Sequence, residues 1–155
     1  MRIKNILEKK GGHVVTIGPG ETVHEAIRRL NEHRIGAVLV TTAGGVVAGI
    51  LSERDVLREC GERCVRLGEV VPQPHDARCP ALVADIMTKD VVTGSPEDEL
   101  MSVMAVMTQR RIRHLPVMDA GELVGIISIG DVVNALVEEA GFENQQLKGY
   151  IHGVT

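Results

Sequence analysis

The feature that most constrains this chain is an internal repeat. Residues 14–40 match residues 91–117 at an offset of 77. Val14, Val15, Thr16, Pro19, Arg34, Ile35 and Val40 recur as Val91, Val92, Thr93, Pro96, Arg111, Ile112 and Val117. After a one-residue difference in a turn the offset becomes 76, and Gly49, Ile50, Ser52, Asp55 and Val56 recur as Gly125, Ile126, Ser128, Asp131 and Val132. A pattern written twice is a unit that folds twice. With 155 residues in all, the copies have the size of two small half-domains sharing one body.

Hydrophobic periods identify the elements of each copy. Val23, Ala26, Ile27 and Leu30 fall at helical spacing, as do Leu100, Val103, Met104 and Met107, which predicts one amphipathic helix per copy. Thr22 with Glu25 reads as a capping box for the first. A short Val-rich strand ending in a Pro-containing turn precedes each helix. Two apolar runs follow each one, Ala37 to Val40 with Val46 to Leu51, and Leu115 to Met118 with Leu123 to Ile129, and these read as antiparallel strands. A second helix is expected near Glu53 to Cys60 and near Asp131 to Ala140, which makes each unit β-α-β-β-α. Ile3, Asn5, Ile6 and Leu7 are echoed by Val83, Asp85, Ile86 and Met87 as short lead-in helices. The expected boundaries are a first unit with its lead-in at 1–65, a Pro-containing linker at 66–82, a second unit at 83–141, and a separate polar helix and tail at 142–155 beyond Gly141.

Composition excludes several classes. The formal charge is -4, with 17 basic and 21 acidic residues, so bulk attraction to nucleic acid is not expected. The aromatics are Phe142 and Tyr150, with no Trp, which leaves residues 1–141 without a stacking platform for bases. Ile35 to Ser52 carries no charge and approaches the roughly 18 residues of a membrane span. Its centre is Thr-Thr-Ala-Gly-Gly, and the second copy places Asp119 and Glu122 there, so a buried hairpin is expected and a membrane partner is not. Met1 to Lys10 is too charged for a secretory signal core, and three cysteines are an odd number, so a reducing cytoplasm is expected. Cys60, Cys64, His75 and Cys79 offer four zinc-type ligands, but their spacing is irregular for a structural site and a helical Cys is commonly a small hydrophobe. No metal is expected.

The chemistry-bearing pattern lies where the third strand meets the second helix. The copies read Gly49-Ile50-Leu51-Ser52-Glu53-Arg54-Asp55 and Gly125-Ile126-Ile127-Ser128-Ile129-Gly130-Asp131. A Ser at the strand end and an Asp three residues on flank a helix start, where exposed N–H groups and the positive dipole end favour phosphate. A carboxylate there can also accept both hydroxyls of a ribose. The same residues fit an alternative reading equally well, in which Ser52 and Ser128 are N-caps and the acids at N3 complete capping boxes. Recurrence does not separate the two, because duplication copies caps as well as sites. Neither copy offers a nucleophile with a base at motif spacing, nor a GxxxxGK[ST] phosphate loop, so an enzyme is not expected.

The doubled unit, with Gly-hydrophobic-x-Ser-x-x-Asp and the order Thr, Pro, Arg-Ile in both copies, resembles a tandem pair of the cystathionine-β-synthase (CBS) domain family, often called a Bateman module. The resemblance implies an α+β (α/β) fold of two β-α-β-β-α units packed through their sheets with pseudo-two-fold symmetry. It implies a homodimer and a regulatory role toward a separate protein partner. It also implies an adenosine-containing ligand in the cleft between units: AMP, ADP or ATP, with NAD or S-adenosylmethionine as alternatives, and no required cofactor. By position, Asp131 would hold the ribose, Ser128 a phosphate, Arg113 and His114 further phosphate contacts, and Thr93 the frame of the base. Arg113 is the stronger of the two basic residues, since its guanidinium presents fixed donors. In the first copy Thr16, Ser52 and Asp55 remain and Arg54 is added, but Gly36 and Ala37 replace Arg113 and His114. The second copy is therefore expected to be the phosphate site. A ligand-independent docking module is the competing function.

Overall fold

A computed structural model describes the backbone of residues 1–67 and 81–152, and the side chains of residues 1–62 and 81–142. The elements run α1 (Ile3–Lys10), β1 (Thr16–Ile17), α2 (Val23–His33), β2 (Ala37–Thr41), β3 (Val47–Ser52), α3 (Glu53–Leu67), α4 (Val83–Ile86), α5 (Leu100–Arg110), β4 (His114–Asp119), β5 (Glu122–Ser128) and α6 (Ile129–His152). This is the expected mixed α+β unit written twice. Among the described residues no helix is long and apolar enough to cross a membrane.

The chain forms two compact units, and they do not follow the order of the copies. One consists of Val14–Val91, and the other joins Met1–His13 to Val92–Thr155. Each lead-in helix thus packs with the other copy's strands, which a division at 1–65 and 83–141 does not convey. The same hydrogen bonds are used both times. The Ile3 N–H donates to the Asp98 carbonyl and the Leu100 N–H to that of Met1; likewise the Val83 N–H donates to the Glu21 carbonyl and the Val23 N–H to that of Ala81. Asn5 and Asp85, the polar members of the echo, each accept the backbone N–H at their own helix start, from Arg2 and Leu82, at 2.9 Å. Most of the linker at 66–82 lies outside the described residues.

In the Val14–Val91 unit, β1, β2 and β3 form one sheet in that order, with β1 parallel to β2 and β2 antiparallel to β3. Ile17, Ala26, Leu30, Val38, Val40, Leu51 and Val83 form its buried core. In the other unit β4 and β5 pair antiparallel over a core of Ile3, Ile6, Leu100, Val103, Met107, Leu115, Val117, Ile127, Val132 and Ala135. The expected first strand of the second copy shrinks to one parallel bridge, Gly94 to Val117. Both backbone groups of Gly94 are spent on Pro116 and Met118, and Pro96, which has no N–H to extend a ladder, follows two residues later.

Two repeated signals gain physical explanations here. Arg34 and Arg111 are left-handed, at φ 53° and 54°. The Ile35 N–H reaches the Leu30 carbonyl and the Ile112 N–H that of Met107. These are Schellman closures of α2 and α5, so the repeated Arg-Ile is a helix stop with its apolar clasp. The helix expected beyond Gly141 is not separate, because α6 runs unbroken from Ile129 to His152. A helix-interior Gly costs only about 1 kcal/mol, which the rest of a long helix absorbs.

Gly49 and Gly125 recur because the lead-in elements cross them. A Cβ on Gly49 would lie 2.6 Å from Met87 Sδ and 2.9 Å from the Thr88 carbonyl oxygen, whereas one on Gly125 would meet Leu7 Cδ2 at 2.6 Å. Thr88 is fixed by paired backbone bonds with Ile50, of 2.9 and 3.0 Å, but the end of a Leu side chain can rotate. Gly49→Ala is expected to lower stability by about 2–3 kcal/mol and Gly125→Ala by about 1 kcal/mol. Urea midpoints of the two variants measured side by side check that order.

Candidate functional site

The junction motif folds the same way in both copies. Glu53 and Ile129 are the first helical residues of α3 and α6, and their N–H groups donate to the carbonyls of Gly36 (3.0 Å) and Arg113 (2.8 Å). This ties the start of each helix to the residue that precedes the neighbouring strand. Ser52 is paired in register with Ala37, and Ser128 with His114. Reciprocal capping follows. The Ser52 N–H donates to Asp55 Oδ2 at 2.9 Å and the Asp55 N–H to Ser52 Oγ at 3.4 Å. The Ser128 N–H donates to Asp131 Oδ2 at 2.7 Å and the Asp131 N–H to Ser128 Oγ at 3.1 Å. The capping reading of the motif is therefore realised twice.

What else each carboxylate touches differs between the copies. Asp55 is buried; Ser52 Oγ also donates to its Oδ2 at 3.0 Å, and Arg58 Nη2 donates to Oδ1 at 2.9 Å from one turn along the same helix. Asp131 is more open, with its side chain 25% exposed against 8% for Asp55. Its ion-pair partner is Lys10, whose Nζ lies 2.7 Å from Oδ2 and also donates to the Ile126 carbonyl at 3.3 Å. Burial pushes the Asp131 carboxyl up, but Lys10 and the Ser128 N–H together outweigh it and hold the group below the ordinary Asp range. A groove of about 180 Å³ opens beside this pair, between α1 and α6, lined in part by Lys9, Lys10, Asp131 and Asn134.

The structure thus gathers Arg113, His114, Ser128 and Asp131 at one end of the β4–β5 hairpin, with Arg113 exposed and His114 half-buried. Thr93 is exposed next to Gly94, which bridges to β4. In the other unit Ser52, Arg54 and Asp55 sit at the β3–α3 junction. Thr16 lies on β1 opposite Leu39, and its carbonyl accepts from Arg29 Nη1 at 2.5 Å. Gly36 and Ala37 leave that junction without a basic side chain on the strand. Two partners escaped the sequence reading. Arg58 carried a signal, its i,i+3 spacing from Asp55, whereas Lys10 stands 121 residues from Asp131 and only folding brings it there. Among the described residues no group of His, Cys, Asp and Glu could hold a metal ion. Cys60 is half-buried; the Cys64 side chain, His75 and Cys79 lie outside the described residues.

This fold and this paired junction define a tandem domain pair of one known class. The CBS domain family matches residues 4–62 and 83–138. The chain belongs to the CBS domain family, as a tandem pair. It is 34% identical to the CBS domain-containing protein CBSX3, mitochondrial, of Arabidopsis thaliana, over 97% of this chain and 72% of that protein. The crystal structure of the CBS-domain containing protein ATU1752 from Agrobacterium tumefaciens superposes with a TM-score of 0.76 at 40% identity, covering 87% of this chain and 98% of that one. A CBS domain pair of protein MJ0100, solved in complex with 5′-methylthioadenosine and S-adenosylmethionine, shares the fold at 20% identity and a TM-score of 0.70, over 90% of this chain and 98% of that one.

The two carboxylates make separable predictions. Asp55→Ala removes a buried cap and is expected to cost about 1–2 kcal/mol at neutral pH. Because the folded pKa of Asp131 is depressed, its contribution is fully present above the unfolded value of about 3.9 and is lost as pH falls through the folded value. Urea unfolding of the native chain and Asp131→Asn at pH 7 and pH 3 should show a stability gap that narrows at the lower pH.

Proposed function

We propose that this CBS pair is a non-catalytic regulatory module that binds an adenosine nucleotide at the junction of the second copy and signals to a separate protein. The observation that carries this reading is the asymmetry of the two carboxylates. Asp131 is half-open, lies at a helix start and shares its end of the hairpin with Arg113 and His114. Asp55 is buried and locked to Arg58. In this assignment Asp131 takes the ribose hydroxyls, Ser128 and Arg113 take phosphate, His114 adds a donor, and Thr93 frames the base through its backbone. Thr16, Ser52, Arg54 and Asp55 form the weaker or structural counterpart. The complexes of MJ0100 support an adenosine ligand for the fold. The local cations at Arg113 and Lys10 favour AMP, ADP or ATP over NAD or S-adenosylmethionine. The cysteine usage supports a cytoplasmic setting, although the Arabidopsis relative is mitochondrial.

A homodimer belongs to the same proposal. Val133 and Val137 lie one turn apart on α6, with Val137 66% exposed, and Met101 on α5 and Phe142 are exposed as well. Such side chains supply the apolar surface that an isologous contact needs.

Calorimetry with AMP, ATP, NAD and S-adenosylmethionine tests the ligand. A ligand at 100 times its Kd should stabilise the fold by about 2.7 kcal/mol in a thermal-shift assay. Asp131→Ala should abolish that shift, while Asp55→Ala, once its lower starting stability is subtracted, should retain most of it. The absence of heat with all four at millimolar concentration would count against ligand sensing and for a docking module.

A further inference from the structure

We propose that Lys10, supplied by the N-terminal lead-in helix, is the residue that makes the Asp131 site select ligands with an anionic 5′ substituent over neutral or cationic adenosine compounds. The inference deepens the nucleotide reading above and rests on it. The ammonium of Lys10 stands 2.7 Å from Asp131 Oδ2, on a side chain that is 41% exposed. It faces the groove between α1 and α6 that Asp131 and Asn134 also line. The neighbouring Lys9 is paired at 2.6 Å with Glu138, so the other lysine of the groove has its own carboxylate. A ribose diol is neutral and donates to Asp131 without cancelling its charge. Lys10 then stays within reach of whatever the 5′ carbon carries. A phosphate there accepts from the ammonium, whereas a sulfonium is repelled by it. Lysine suits this task because its charge is compact and its stem rotates.

The position is particular to this unit. At the offset that maps Ile3 onto Val83, the counterpart of Lys10 is Asp90, an acid. The counterpart of Asp131 is Asp55, which takes its cation from Arg58 on its own helix. Lys10 ends α1 and is followed by Gly11 at φ +85°, so the helix stops at the residue that reaches the site.

The test is titration calorimetry of the whole chain with AMP, adenosine and S-adenosylmethionine, on the native protein, Lys10→Met and Lys10→Arg. The native chain is expected to bind AMP more tightly than adenosine. Lys10→Met should cut that AMP-to-adenosine ratio roughly tenfold, the size of one hydrogen bond to a charged group, and should improve S-adenosylmethionine. Lys10→Arg should keep the preference. Raising salt should shrink the ratio in the native chain more than in Lys10→Met, because only the former has this charge to screen. If the native chain binds AMP and the ratio is unmoved within about twofold in Lys10→Met, the role of Lys10 falls and the nucleotide site stands. If the native chain binds none of the three, the nucleotide reading falls and takes this one with it. A native preference for S-adenosylmethionine over AMP also overturns it. Circular dichroism melting of each variant identifies any loss that comes from unfolding.

Discussion

The seating of each lead-in element across a glycine of the other copy's strand is the contact on which the rest of the structure depends. At Gly49 the crossing chain is backbone, Thr88, bonded on both sides to Ile50. At Gly125 it is the side chain of Leu7. Without these crossings Ile3, Ile6 and Val83 would lose the surfaces that bury them. A fully buried aliphatic side chain contributes about 1.5–3 kcal/mol, so each lead-in matters to a unit this small. The exchange also means that the unit holding the Ser128–Asp131 junction contains both the first residues of the chain and its second half.

The exchange serves both copies in the same way, yet the two junctions are not alike. Both junctions are built by the same local chemistry, a Ser at N-cap and an Asp at N3, so local physics alone would make them alike. The difference comes from the cation each carboxylate meets. Arg58 arrives along α3 and closes over Asp55; Lys10 arrives from α1 and stays at the rim of a groove. A half-exposed ion pair is weak as a stabilising device. It is correspondingly available to a competing ligand.

Several recurring sequence signals acquire their cause only in the structure. The recurring Arg-Ile marks a left-handed helix stop, and the recurring Gly-Ile-x-Ser combines a crossing point with a cap. Each has a structural reason to recur whether or not a ligand binds. The capping alternative, open from the sequence, is realised at both junctions. It coexists with the proposed binding role, since the cap engages Asp131 through Oδ2, which accepts from the Ser128 N–H. The continuous α6 was not legible, because Gly141 reads locally as a stop although a single helix-interior Gly costs only about 1 kcal/mol.

The sequence by itself determined the repeat, the β-α-β-β order of the first copy and the α-β-β order of the second, the helix stripes and the place of both junctions. These follow from periods of 2 and 3.6 residues and from capping chemistry, all of which act over a few neighbours. Only the tertiary structure decided which lead-in serves which copy, which glycines are crossed and which cation faces Asp131. Those are contacts between residues as far apart as Lys10 and Asp131, and no local period encodes a partner 121 positions away.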